Sequence, residues 1–72
     1  MVVKTKDSRY EIYMKKDLLY LFHGVREYII DKISLGVGLP LELYCRKISP
    51  YTGKPETEEM FIKTSPIVSI KL

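Results

Sequence analysis

The chain has 72 residues, room for one domain, and its 46% apolar content excludes a disordered polar chain. The net charge of +3 is mild, so an anionic partner is permitted but not required. A domain this small buries only about 60% of the surface its unfolded chain exposes, which makes a homo-oligomer a natural supplement to its stability.

The first segment reads as a hairpin. Val2 to Lys6 forms one arm, Asp7-Ser8 supplies turn chemistry, and Arg9 to Lys15 alternates in polarity. Tyr10, Ile12 and Met14 share one face of that second arm, while Arg9, Glu11, Tyr13 and Lys15 share the other. The basic excess sits here: Lys4, Lys6, Arg9, Lys15 and Lys16 face only Asp7 and Glu11, and the rest of the chain sums to about zero.

Asp17 to Ser34 admits two readings. As a helix, Leu18, Leu21, Phe22, Val25, Ile29 and Ile33 form one stripe, with Asp17 as N-cap and Gly36 near the stop. Gly24 in the middle would cost that helix about 1 kcal/mol relative to alanine. As strands, Leu18 to Phe22 and Val25 to Ile33 flank a His23-Gly24 turn, and the β-branched and aromatic content suits them. Periodicity alone slightly favours the helix.

Gly36-Val37-Gly38-Leu39-Pro40 interrupts any regular element. Leu41 to Ile48 then reads as a strand, with Leu41, Leu43 and Cys45 on one face and Glu42, Tyr44 and Arg46 on the other. Ser49 to Pro55 is a loop. Thr57 to Lys63 is the next strand, Thr64-Ser65-Pro66 a break, and Ile67 to Leu72 a last strand, because proline cannot sit centrally in a sheet.

Thr5-Lys6-Asp7-Ser8-Arg9-Tyr10-Glu11, Arg26-Glu27-Tyr28, Ile33-Ser34, Val37-Gly38-Leu39-Pro40-Leu41 and Thr64-Ser65-Pro66-Ile67-Val68-Ser69-Ile70 together carry a resemblance. The chain is similar to a group of very short, mostly uncharacterised bacterial and phage proteins. Their pattern opens Thr-Lys-Asn-Ser-x-Tyr-Glu, continues through Val-Gly-x-Pro-Leu and ends near Thr-Ser-Pro-Val. Asp7 and Ile67 depart from it. The resemblance implies a small all-β domain and a phage or mobile-element origin, and it tilts residues 17 to 34 toward strands. It brings no activity, cofactor or catalytic residue.

The chemistry-bearing residues are sparse. Cys45 is the only cysteine, so no intrachain disulfide can form, and its apolar setting marks it as a small core residue. His23 is the only histidine and reads as a solvated polar residue. One Cys and one His are too few for a structural zinc site. Glu56, Glu58 and Glu59 flank a loop and lack the buried cleft that acid–base work needs. Gly36-Val37-Gly38 lacks the third glycine of a dinucleotide motif and leads into Pro40. The start Met1-Val2-Val3-Lys4 lacks a leader pattern, and no apolar run reaches the roughly 18 residues of a membrane span, so a cytoplasmic location without membrane contact is expected.

These observations predict one all-β domain over residues 1–72, an SH3-like small barrel of five or six short strands. The alternative is α+β, with a helix over 17–34. The expected function is a non-catalytic binding or adaptor module for a protein partner, with no cofactor and no metal. The alternative is a nucleic-acid-binding barrel that uses the basic N-terminal hairpin and its tyrosines to engage DNA or RNA. Six tyrosines in 72 residues prompt that second reading. Under either, the candidate partner-binding residues are Arg9, Tyr13, Lys15, Tyr44 and Arg46, assigned to the polar faces of two strands.

Overall fold

The computed structural model describes residues 1–72 and contains six strands and no helix. They are β1 (Val2–Thr5), β2 (Arg9–Lys15), β3 (Leu18–His23), β4 (Arg26–Ser34), β5 (Pro40–Lys47) and β6 (Met60–Lys71). Each pairs antiparallel with the next, and β1 pairs with β6, so the sheet closes into a barrel in up-and-down order. Closure removes the exposed edges that an open sheet of this size would carry. With no helix present, none is long and apolar enough to cross a membrane.

The strand reading of residues 17–34 is the one realised, and the helix alternative is overturned. Lys16 and Asp17 have φ of 52° and 63°, and they are the two central residues of a tight β2–β3 hairpin. That left-handed pair is the mark of a type I′ turn, whose twist matches the flanking strands. Asp17 is therefore a turn residue and caps no helix. Gly24, at φ 64°, opens the β3–β4 turn with Val25, so the turn lies one residue later than the His23-Gly24 reading placed it. The apolar residues at helical spacing are shared instead between the two faces of β3 and β4. Leu21 points into the core, while its neighbour Phe22 is partly exposed.

The expected break at Thr64-Ser65-Pro66 is also overturned. β6 runs unbroken through Pro66, because there it changes partner: residues up to Pro66 pair with β5, and Ile67 onward pairs with β1. Pro66 lies opposite Pro40 at a non-hydrogen-bonded pair, flanked by the bond from the Ile67 N–H to the Leu39 carbonyl, so neither ring nitrogen faces a carbonyl of the partner strand. Beside this point the Leu41 N–H donates to Thr64 Oγ1 at 3.1 Å, the side chain standing in where the register shifts. The Ile67 N–H donates to the Leu39 carbonyl at 2.8 Å, and the Gly38 N–H donates back to Ile67 at 2.9 Å, drawing the β4–β5 loop against the barrel.

The core is built from the inward positions of every strand. Val3, Leu21, Leu41, Leu43, Cys45 and Ile67 are essentially inaccessible to water. Tyr10 and Tyr28 join them inside. Met14 continues the inward alternation of β2 but is 66% exposed, since that strand outruns the packed core at its end. The sequence-predicted inner face is correct for Tyr10 and Ile12 and fails at Met14.

Candidate functional site

Barrel closure decides how the five sequence-predicted residues sit. Tyr13 is opposite Tyr20 across the β2–β3 seam, and Tyr44 is opposite Phe61 across the β5–β6 seam. In a ring of six strands these seams are three strands apart, half a turn around the barrel. The polar faces assigned to Tyr13 and Lys15 on β2 and to Tyr44 and Arg46 on β5 thus look out from two different walls, because closing the sheet turns successive outer faces away from one another.

The first wall is the outer surface of β2, β3 and β4. Tyr13 and Tyr20 stack with centroids 5.5 Å apart and planes 13° from parallel. The Tyr13 hydroxyl donates to the Glu27 carboxylate. Partial burial, together with that carboxylate, pushes the Tyr13 hydroxyl pKa up to about 12. Lys15 Nζ lies 5.9 Å from the Tyr20 ring centroid, within cation–π reach. Ile29 follows Tyr20 in the same cross-strand row and is only 6% exposed, although it stands outside the core cluster. Leu18 and Phe22 flank Tyr20 along β3, at 48% and 38% exposure. β3 is therefore apolar on both faces, which is why its periodicity was ambiguous in the sequence.

The second wall is the outer surface of β5 and β6. Tyr44 and Phe61 meet at 4.9 Å with planes tilted by 44°, and they are 43% and 49% exposed. Two ion pairs border them. Arg46 grips Asp31 through two parallel bonds, Nε to Oδ2 at 3.0 Å and Nη2 to Oδ1 at 2.9 Å. Lys63 lies 3.7 Å from Glu42. The Arg46 fork holds the Asp31 carboxyl below its ordinary range, and the Asp31 carboxylate in turn holds Glu59 above its own.

Arg9 belongs with neither aromatic pair. It sits at the far end of β2, opposite Lys4, and its guanidinium is 3.5 Å from Glu11. The structure thus brings Lys15 to the Tyr13–Tyr20 pair, sets Arg46 two residues along β5 from Tyr44 and opposite Ile29 of β4, and leaves Arg9 with the β1–β2 turn. Tyr20, Ile29, Asp31 and Phe61 were missed as site residues. The alternation of Thr57–Lys63 already set Phe61 on the face opposite Met60 and Ile62, whereas Tyr20 could be placed outward only once β3 was known to be a strand.

The remaining candidates carry no chemistry. Cys45 is fully buried, and burial pushes its thiol pKa up, away from the reactive thiolate. His23 is not a freely solvated side chain. It stacks on Tyr10 at 4.4 Å, with Nδ1 3.1 Å from the Arg9 carbonyl. No group of three or more His, Cys, Asp or Glu residues is placed to hold a metal ion. An open groove of about 750 Å³ separates the β3–β4 turn from the β5–β6 loop, lined by residues that include Val25, Arg26, Lys47, Tyr51 and Glu56. Its charges are mixed, and its walls are the β3–β4 turn, the β5–β6 loop and the adjoining ends of β4 and β5.

The chain matches no protein-family model, no curated protein and no solved structure.

Proposed function

We propose that the chain is a non-catalytic binding module whose partner is a protein, engaged through the second wall. The observation that carries this is the Tyr44–Phe61 pair, two large rings each left about half exposed and bordered by the Arg46–Asp31 and Lys63–Glu42 ion pairs. An aromatic centre with a polar rim is the anatomy of a protein–protein contact, where a few buried aromatic anchors dominate the energy. Rim charges that are paired except for Lys32, the cross-strand neighbour of Tyr44, favour a partner that reads shape and apolar area.

The same pairing weighs against nucleic acid as the partner. Phosphate recognition needs free cations, with affinity that falls steeply as salt rises. Arg9 and Arg46 each have a carboxylate close by and Lys15 leans over Tyr20, which leaves Lys4 and Lys6 as the unpaired cations of the N-terminal hairpin. The tyrosines that would stack bases lie on opposite walls, and Tyr13 is tied to Glu27.

The test is affinity capture from a microbial host, followed by titration of the captured protein against purified variants. Phe61→Glu and Tyr44→Ala should weaken binding by at least about tenfold, the loss expected of aromatic anchors. Tyr20→Ala, on the opposite wall, should leave the affinity unchanged. Equal losses from both walls would defeat the assignment. Tight binding of labelled single-stranded DNA or RNA at low salt, abolished by Lys4→Ala and Lys6→Ala, would replace it with the nucleic-acid reading.

A further inference from the structure

We infer that the first wall is a self-association surface and that its occupant is a second copy of this chain, packed about a two-fold axis. The inference is independent of the second wall and of the partner proposed for it.

The argument starts from surface area. A folded monomer of 8.4 kDa should expose about 4,600 Å² by the usual mass scaling. This chain exposes 5188 Å². The surplus of roughly 600 Å² is shared with the Pro50–Glu59 loop, every residue of which is exposed, against about 800 Å² for one side of a standard interface. The surplus by itself locates nothing; the apolar line on β3 does. Leu18, Tyr20 and Phe22 run down its outer face, backed by Ile29 on β4 and Tyr13 on β2.

The register makes this wall self-complementary. Lys15 pairs with Leu18, Tyr13 with Tyr20, and Glu11 with Phe22. The Tyr13–Tyr20 row is the midpoint, with a base at one end of β2 and an acid at the other. A two-fold axis lying along that row sets Lys15 of each copy against Glu11 of the other, and Leu18 against Phe22. An isologous contact requires this symmetry of a patch with itself. Lys15 has no carboxylate partner in its own chain, and Glu11 has only Arg9 at 3.5 Å, with both side chains about half exposed. Of the two carboxylates on β4, Asp31 is neutralised by Arg46, while Glu27 accepts from the Tyr13 hydroxyl and keeps its charge.

The experiment is sedimentation velocity with light scattering, on the full chain, from low micromolar to millimolar concentration. A species of twice 8.4 kDa, saturating without larger assemblies, is the expected result. Lys15→Glu and Glu11→Lys alone should each weaken dimerisation by at least about tenfold, since each sets like charges together twice per dimer. The double variant Lys15→Glu with Glu11→Lys should restore it, and circular dichroism should show the same fold throughout. That charge swap reports pairing between copies even if an apolar replacement such as Leu18→Glu perturbs the barrel. A monomer at every concentration would overturn the inference. So would open-ended polymers, or a dimer that survives Lys15→Glu but is lost with Phe61→Glu.

Discussion

The two aromatic pairs use similar residues on the same kind of surface and end in different physical states. Tyr13 and Tyr20 are nearly parallel, partly buried, and fastened by a hydroxyl-to-carboxylate bond and an overlying lysine. Tyr44 and Phe61 are tilted and about half exposed, and the ion pairs beside them hold one another instead of the rings. The difference follows from their neighbours. Tyr20 is flanked in its row by Tyr13 and Ile29, so its ring rests on side chains, whereas Tyr44 has Lys32 on one side and only Phe61 as an apolar neighbour on the other. An aromatic side chain on a sheet packs against its neighbours where its row is apolar and stands apart from them where its row is charged.

Replacing one ring in each wall should break the comparison most sharply. Tyr20→Ala strips the stacking partner from Tyr13 and the cover from Ile29, and should cost about 2 kcal/mol of stability in denaturant unfolding. Tyr44→Ala removes one exposed cross-strand pair and should cost about 0.5 kcal/mol. Equal losses would mean that the walls are equivalent.

Removing only the hydroxyls refines the same contrast. Tyr13→Phe leaves the Glu27 carboxylate without its donor and should cost about 1 kcal/mol, while Tyr44→Phe should be neutral.

Titration probes the fastening directly. The Tyr13 pKa is raised to about 12 in the folded chain, against about 10 when unfolded. Its stabilising contribution is therefore complete below about pH 10 and is lost as pH rises through about 12. Ultraviolet difference titration should show one tyrosine ionising late, and Glu27→Gln should move that step to lower pH.

The smallest expected effect lies at the rim of the second wall. Glu59 is held above its ordinary range by the Asp31 carboxylate, so its ionisation near neutral pH opposes the folded state. Glu59→Gln should raise the thermal midpoint slightly at neutral pH and have no effect in acid, where Glu59 is already protonated. Asp31 is shifted the opposite way, so its contribution is present above the unfolded carboxyl range and fades as pH falls through its lowered folded value. Below that point the Arg46 fork has no anion to grip.

Much of this architecture was legible residue by residue. Strict alternation over Arg9–Lys15 and Leu41–Cys45 placed Ile12, Leu43 and Cys45 inward, and Tyr13, Tyr44 and Arg46 outward, as found. The Asp7-Ser8 turn also stands where composition put it; the Gly36–Pro40 interruption gives Pro40 to β5, and the Ser49–Pro55 loop runs on to Glu59, so the strand expected from Thr57 begins at Met60. Residues 17 to 34 resisted reading because β3 is apolar on both sides, and a run without a polar face fits either period. The type I′ turn was hidden because lysine and aspartate occupy positions where asparagine and glycine are the usual signal. Pro66 misled because a missing donor ends a strand only if a neighbour needs that donor, and at this non-hydrogen-bonded position of the β5–β6 ladder none does.

The sequence by itself determined that the chain is β-rich, where its polarity alternates and which side of most strands meets the core. Those properties are local, since successive side chains on a strand point to opposite sides whatever the strand pairs with. Tertiary structure alone decided that β6 serves two partners, that β1 closes the ring and that Tyr13 and Tyr44 look away from each other across the barrel. Period two assigns a side chain to the inside or the outside of a sheet, while its direction around a closed ring depends on how many strands stand between. That number is fixed only when distant segments pair.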